Sequence, residues 1–474
     1  MMAVSFRDPD GRVEIMDDRV LRIVNKSGEA SLNAFLASSV AKRLVASGQL
    51  VRTRQPDDES ARKFYEYLRR ENSWFAASEA IFEHERIAFP SYPYEWPPEM
   101  LHQAGRLTID LAESTLNEGF GLKDATPYNV LFRGPKPVFV DLLSFERRNP
   151  CDPVWKPYAQ FVRIFLLPLL ANRYFGLPLK QMLLTNRDGL EPEEVYGICG
   201  ISQKLRFPFL TLVSIPTWLR SRAGESTIYR ERLLRNAGQA RYVLERLFQR
   251  LRRQLIKLEP RSGRKSEWSD YLTFNKNNAP AYLNEKRVFV EEAIREYRPK
   301  NVLDVGCNTG YFSRLAARSG AHVVAIDQDA ATVGQLWRNA AAEGLDILPL
   351  VVDLTRPSPG VGWRNGENPP FLVRAHGSFD AVLMLAVVHH MLVTERIPLA
   401  EILSLAADIT TDLLIVEFVA PTDPMFHRLA RGRDHLFQGL TNEAFENECR
   451  RCFDIVRSRQ LAGASRWIYL LRKK

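Results

Sequence analysis

The chain is poor in cysteine, has no long apolar run and shows no repeat. Five cysteines are spread over 474 residues, at 151, 199, 307, 449 and 452. Cys449 and Cys452 form a single C-x-x-C with no second pair, which argues against a structural zinc site and points to a reducing compartment. No stretch approaches the ~20 apolar residues that a membrane span needs; the run IFLLPLLA at 164–171 is short and contains Pro168. The opening MMAVSFRDPDGR is charged almost at once and lacks the apolar core of a secretory signal. The expectation is a cytoplasmic protein. With no fixed-period repeat and no low-complexity segment, solenoid and fibrous classes fall away.

What is present is ordinary globular composition on a long chain. Hydrophobic residues make up 45%, charged residues 26% and aromatics 10%, so a packed core is expected. The length is about three times the ~150-residue prior for one domain and predicts two or three. The formal charge is +9, but it is concentrated: 16 Lys plus Arg stand against 4 Glu between 201 and 265, a local charge of +12 that leaves −3 on the rest. We divide the chain into 1–200, a basic helical connector over 201–265 and a C-terminal domain over 266–474.

The connector's periodicity predicts a long helix over 228–258. Leu233, Ala237, Ala240, Leu244, Leu247, Leu251, Leu255 and Leu258 recur at three- and four-residue steps. Arg232, Arg235, Arg246, Arg250 and Arg253 lie largely off that stripe, either as a solvated face on a packed connector or as a surface for RNA, anionic lipid or a phosphorylated saccharide. Upstream, FPFLTLVSIPTWL (207–219) is apolar but broken by Pro208 and Pro216. It reads as a buried interdomain segment or a peripheral membrane contact.

From 266 onward β-rich runs alternate with helical stretches: NVLDV (301–305), VVAID (323–327), LPLVVD (348–353), FDAVLML (379–385) and DLLIVEFV (412–419). FDIVRS (453–458) and RWIYLLRK (466–473) read as a final antiparallel hairpin, with which the domain looks complete. This pattern implies an α/β, doubly wound, mostly parallel sheet. Such sheets bind ligands at the carboxyl ends of their strands. There, Gly306 and Gly310 let backbone approach a ligand, while Asn308 and Tyr311 occupy positions where a dinucleotide fingerprint has glycine. Asp327 ends the second strand, where a carboxylate accepts ribose hydroxyls. Asp353 ends the third, suited to accept from an exocyclic amine. A nucleoside without phosphates fits the set.

VLDVGCNTG, AID, VVD and FDAVLMLAVVHH resemble the ordered motifs of class I S-adenosylmethionine-dependent methyltransferases. The resemblance implies a Rossmann-like domain with a seven-stranded, mostly parallel sheet ending in an antiparallel hairpin. It implies that Asp304, Gly306, Cys307 and Gly310 line the methionine end of the cofactor, Asp327 the ribose and Asp353 the adenine, with no metal. Within that family, HHMLVTERIPLAEI, EFVAPTDPMF and PSPGVGWRNGE (357–367) are most similar to proteins labelled host-specific nodulation methyltransferases in rhizobia. If the acceptor is a hydroxyl, a base takes its proton. His389 and His390 follow the fourth strand, and histidine titrates near neutrality, so one of them is the candidate. Trp363, Arg364 and Asn365 sit in a long loop where they either grip an acceptor or form a plain insertion.

Nearer the N-terminus, GLKDATPYNVLF (121–132) and PVFVDLLSF (137–145) have a logic of their own. Asp124 and Asn129 are spaced D-x-x-x-x-N, then come a strand, a turn at Gly134–Pro135, a second strand and Asp141. The stretch resembles the catalytic loop of protein-kinase-like and aminoglycoside-phosphotransferase-like enzymes. That likeness implies an α+β domain with Asp124 as base and with Asn129 and Asp141 holding magnesium on ATP. Leu122 and Lys123 replace the usual His-Arg or His-Gly, Leu-Leu follows Asp141, no glycine-rich loop lies upstream, and Lys26 and Lys42 are the candidate strand lysines. These departures point to a degenerate lobe that holds or recruits the acceptor.

The reading is an S-adenosylmethionine-dependent methyltransferase acting on a hydroxyl of a saccharide or small metabolite. Three alternatives use the same residues. An RNA methyltransferase would neutralise phosphates with the 201–265 arginines and lose binding steeply with salt. A bifunctional kinase–methyltransferase would turn over ATP through Asp141. A non-catalytic binding protein would hold the cofactor and release no product.

Overall fold

The computed structural model describes residues 7–16, 18–71, 79–220, 233–261 and 280–474. Strands β1 (Gly11–Met16), β2 (Arg19–Val24), β3 (Thr53–Arg54) and β4 (Ala80–His84) form an antiparallel sheet in the order β1-β2-β4-β3. The helix Pro98–Leu116, with proline at its first position where the missing N–H costs no bond, is buried along most of its length. It delivers the chain to β5 (Phe120–Leu122), which pairs with β8 (Phe145–Arg147), and to the hairpin β6 (Val130–Arg133) and β7 (Lys136–Phe139). The strand–turn–strand expected between Asn129 and Asp141 is therefore present. Lys26 and Lys42 are not on strands; they sit in the helices Lys26–Ala37 and Ser39–Ala46.

The connector helix runs Ala237–Lys257 rather than 228–258. Asn236 caps it, its side chain accepting from the Gly238 N–H, while Leu233 lies outside the helix and is exposed. Residues 221–232, which include Arg232, lie outside the described residues. Ala240, Leu244, Phe248, Leu251 and Leu255 form the buried stripe, and Phe248 meets Trp155 edge-on at 5.2 Å. This stripe packs on Pro98–Leu116, where Arg252 pairs with Asp110 and Glu113 and the His102 ring donates to the Leu255 carbonyl at 3.0 Å.

The C-terminal sheet has seven strands: β9 (Asn301–Val305), β10 (His322–Asp327), β11 (Ile347–Val351), β12 (Phe379–Met384), β13 (Thr410–Val419), β14 (Phe453–Gln460) and β15 (Arg466–Lys473), in the order β11-β10-β9-β12-β13-β15-β14. Only β15 runs against its neighbours. Ile326, Val305, Met384 and Val416 lie side by side across β10, β9, β12 and β13, so the carboxyl ends of these strands share one edge.

The two halves share one continuous apolar core, which runs from Leu32 and Phe35 to Tyr469 and Leu471. At the seam Phe89 lies 5.8 Å from Phe371 and 5.7 Å from Phe379. Arg374 pairs with the fully buried Glu95 and donates to the Pro90 carbonyl at 2.6 Å. Trp337 donates to the Pro135 carbonyl at 3.1 Å, and Arg338 pairs with Glu99.

Candidate functional site

The turn after β9 is built for close approach. Gly306 has φ +70° and Gly310 +80°, and Asn308 shares the left-handed region at +51°. A Cβ at Gly306 would collide with Val387, and one at Gly310 with Leu336. Asn308 thus takes the conformation that glycine supplies at many such turns, and its carboxamide oxygen accepts from the Thr309 N–H at 2.6 Å. Cys307 is buried, and burial drives its thiol well above the usual range, so it lines the turn as a neutral wall.

Acidic groups collect at the strand ends. Asp304 is buried and accepts the Ser313 hydroxyl at 2.6 Å; burial raises its carboxyl to about 7. Asp327 accepts from the Asn308 N–H at 2.9 Å and the Asp329 N–H at 3.0 Å, and burial raises it despite those bonds. Asp329 Oδ2 is buried without a hydrogen-bond partner among the described residues. Asp353 lies two residues beyond the end of β11 rather than in the strand, and its Oδ1 accepts from the Thr355 N–H at 2.9 Å and hydroxyl at 2.6 Å. This acceptor-rich set suits a ligand bearing an ammonium, ribose hydroxyls and an adenine amine.

His389 and His390 open the helix Val388–Val393, directly after β12. Their ring centroids are 4.3 Å apart. His389 is 2% exposed, and neither of its ring nitrogens has a hydrogen-bond partner among the described residues. Burial first, then His390, Arg466 and Lys286, hold its pKa well below the ordinary histidine value; burial and Arg466 lower His390 as well.

Those cations belong to a cluster that motif reading missed. Glu417, near the end of β13, is fully buried; it accepts the Tyr282 hydroxyl at 2.6 Å and pairs with Lys286 at 2.6 Å and Arg466 at 3.5 Å. Arg466 also pairs with Asp423 at 2.8 Å. The members come from the helix Pro280–Tyr297, β13, the segment after it and β15; the one local signal is a glutamate, Glu417, inside an otherwise apolar run of β13.

The 357–367 loop carries Trp363, Arg364 and Asn365 on one tight turn, with Arg364 and Asn365 both left-handed and Trp363 exposed. Glu367 ties the loop to the N-terminal unit, pairing with Arg187 and with Arg7 at 2.7 Å.

In the N-terminal loop the structure brings Asp124, Asn129 and Asp141 to one end of the β6–β7 hairpin, and both Asp141 oxygens are engaged. Arg22 of β2 pairs with Oδ1 at 2.8 Å, and Ser144 donates to Oδ2 at 2.6 Å while accepting from the Asn129 amide at 3.0 Å. Arg22 also donates to His84 Nε2 at 2.9 Å, which leaves the other ring nitrogen to donate to Thr53 at 2.7 Å. Burial and the neighbouring Asp141 raise the Asp124 carboxyl, and Lys123 is held by Asp10 at 2.8 Å. A guanidinium thus stands where a magnesium ligand set would be open, and this arrangement does not fit the metal. No cluster of three His, Cys, Asp or Glu suited to a metal occurs among the described residues.

Comparison with known proteins agrees with the strand-end geometry. A family model described as a methyltransferase domain matches residues 243–464. The chain is 28% identical over 477 residues to Nodulation protein NoeA of Rhizobium meliloti (strain 1021), covering 100% of this chain and 96% of that protein. It is 32% identical over 90 residues to the Ubiquinone biosynthesis O-methyltransferase of Caulobacter vibrioides, 19% of this chain and 30% of that one. Over 139 residues it is 29% identical to the O-antigen chain terminator bifunctional methyltransferase/kinase WbdD of Escherichia coli, 29% of this chain and 18% of that protein. A WbdD crystal structure aligns with 39% of each chain at 20% identity and a TM-score of 0.29.

Proposed function

We propose that this chain, whose residues 243–464 match a methyltransferase domain, transfers a methyl group from S-adenosylmethionine to a hydroxyl of a saccharide or small metabolite and that His389 accepts the hydroxyl proton. The carrying observation is the His389 imidazole: buried, held neutral, and without a hydrogen-bond partner among the described residues, at the edge where strands β9, β10, β12 and β13 end. A base must be unprotonated and within reach of the acceptor; burial and two nearby cations secure the first condition.

The cofactor supplies an electrophilic methyl group on a sulfonium. Asp327 and Asp329 would hold the ribose, Asp353 the adenine amine, and Asp304 with the 306–310 turn the methionine end. His389 would take the hydroxyl proton, so the positive charge carried by the sulfonium would end on the imidazole, with a neutral ether and a neutral thioether as products. Tyr282, Lys286 and Glu417 would wall the acceptor side. The similarity to relatives named as a ubiquinone biosynthesis O-methyltransferase and as an O-antigen chain terminator bifunctional methyltransferase/kinase supports an oxygen acceptor from the first and a saccharide from the second. For the N-terminal unit, the Arg22–Asp141 pair argues against phosphoryl transfer and leaves it the role of a scaffold that holds or recruits the acceptor.

The test is transfer of labelled methyl from S-adenosylmethionine into an extract of the source organism, fractionated into RNA, protein, saccharide–lipid and small-molecule pools, with Asp327→Ala as control. Label in the saccharide–lipid or small-molecule pool is expected. RNase-sensitive label, or no label above the control, overturns the reading. Magnesium-dependent ATP turnover lost in Asp141→Ala would overturn the scaffold role.

A further inference from the structure

Seven exposed large apolar side chains gather in one corner where the N-terminal unit meets the connector. The helix Pro192–Ile198 ends in exposed Ile198. The turn Ile201–Lys204 begins with Ile201 at 84% exposure, and Leu205 and Phe207 follow at 63% and 66%. Ile215, Trp218 and Leu219 are exposed on the helix Ile215–Arg220. Isolated exposed apolar residues are normal, but a contiguous group marks a contact surface.

These segments adjoin. Ser214 donates to the Lys204 carbonyl at 2.7 Å, the Lys204 ammonium lies 3.8 Å from the centre of the Tyr196 ring, and Trp218 Nε1 donates to the Tyr196 hydroxyl at 3.3 Å. Phe209, Leu212 and Val213 anchor the group from beneath, inside the shared core. Lys257, 5.9 Å from the Phe207 ring, joins the corner to the end of the connector helix.

Charge says what covers this corner. Lys204 and Arg206 lie within it, and Lys257 begins a stripe that continues through Arg253, Arg250 and Arg246, spaced at three or four residues along one exposed helix face. Exposed Ile256 and Tyr242 lie on that face, with Arg246 5.0 Å from the Tyr242 ring. A second copy would set like charges against each other in a two-fold contact. A bilayer surface with anionic headgroups accepts both components: aliphatic and aromatic side chains enter the headgroup–acyl boundary, Trp and Tyr sit at its polar level, and the cations meet phosphates.

We propose that the corner formed by 196–220 and the exposed face of Ala237–Lys257 docks this protein on an anionic membrane surface, as a peripheral contact in which no helix among the described residues is long or apolar enough to cross. The inference does not depend on the acceptor reading above.

The experiment is co-sedimentation of the full-length protein with vesicles of phosphatidylglycerol mixed into phosphatidylcholine, beside vesicles of phosphatidylcholine alone. Binding to the anionic vesicles only is expected, weakening as salt rises from about 0.1 M to about 1 M, where the screening length falls from ~10 Å to ~3 Å. Ile201→Ser/Leu205→Ser/Phe207→Ser should lower the bound fraction roughly tenfold or more. Its thermal midpoint and S-adenosylmethionine binding should match the parent's, which shows that the fold survives. A second variant, Arg246→Gln/Arg250→Gln/Arg253→Gln, should weaken binding and flatten the salt dependence. No sedimentation with anionic vesicles, sedimentation untouched by both variants, or a concentration-dependent dimer abolished by the triple serine variant overturns the proposal.

Discussion

His389 is buried, and neither of its ring nitrogens has a hydrogen-bond partner among the described residues, which makes a measurable claim at the level of one side chain. His389→Ala should lower kcat by about 10²–10⁴-fold, the ordinary worth of a positioned base, while leaving the Kd for S-adenosylmethionine unchanged. Because its pKa lies below the ordinary value of 6.5, the base is unprotonated at neutrality and the acid limb of kcat should fall below pH 6.5. A kcat that halves as pH drops through 7 would assign the limb to another group. Single residues were legible where a strand ends: Asp304 and Asp327, near or at the last positions of β9 and β10, and the 306–310 turn stand out because an apolar run stops beside each of them. Arg22, Glu417 and Arg466 carried no such signal, since each acquires its meaning from a partner more than 40 residues away.

At the level of elements, the seam depends on short segments that look unremarkable in sequence. Glu95 sits in a three-residue turn, Pro93–Glu95, and Arg374 in the five-residue helix Phe371–Ala375, yet the two form a buried ion pair at 0% and 4% side-chain exposure. Glu95→Gln should lower the unfolding free energy by about 3 kcal/mol, because it leaves a guanidinium in the interior without its counterion; urea denaturation read by tryptophan fluorescence measures it. Substituting both members with well-packed apolar residues should cost far less. The connector helix shows the limits of periodicity: the stripe from 240 to 255 was readable, but Phe248, off the leucine pattern, carries the contact with Trp155. Its start was misplaced because leucine spacing runs past Asn236, and the cap decides where a helix begins.

At the level of the whole molecule, one core spanning both halves predicts one cooperative unfolding transition rather than two. Its pH dependence follows from buried histidines. His84, His102, His389 and His390 all have lowered pKa values, chiefly through burial. The unfolded chain therefore binds protons near pH 6.5 that the folded chain refuses, so the stabilising contribution is present above 6.5 and is lost as pH falls below it. Asp304, raised to about 7, acts in the opposite sense and offsets part of the loss. Calorimetric midpoints should fall between pH 7.5 and 5.5, and His389→Phe should flatten the slope by up to about 1.4 kcal/mol per pH unit. A midpoint that rises toward pH 5.5 would contradict this account.

By itself the sequence determined the α/β sheet, its strand order of motifs and the acidic strand ends, because those depend on local periodicity and on where each strand stops. Tertiary structure alone decided the rest. It set Arg22 against Asp141, gathered Tyr282, Lys286, Glu417 and Arg466 into one cluster, and joined the two halves through Glu95 and Arg374. Each is a pairing of charge or of a donor and acceptor across long stretches of chain. Such pairings form where burial makes an unpaired group costly, and burial is a property of the folded chain.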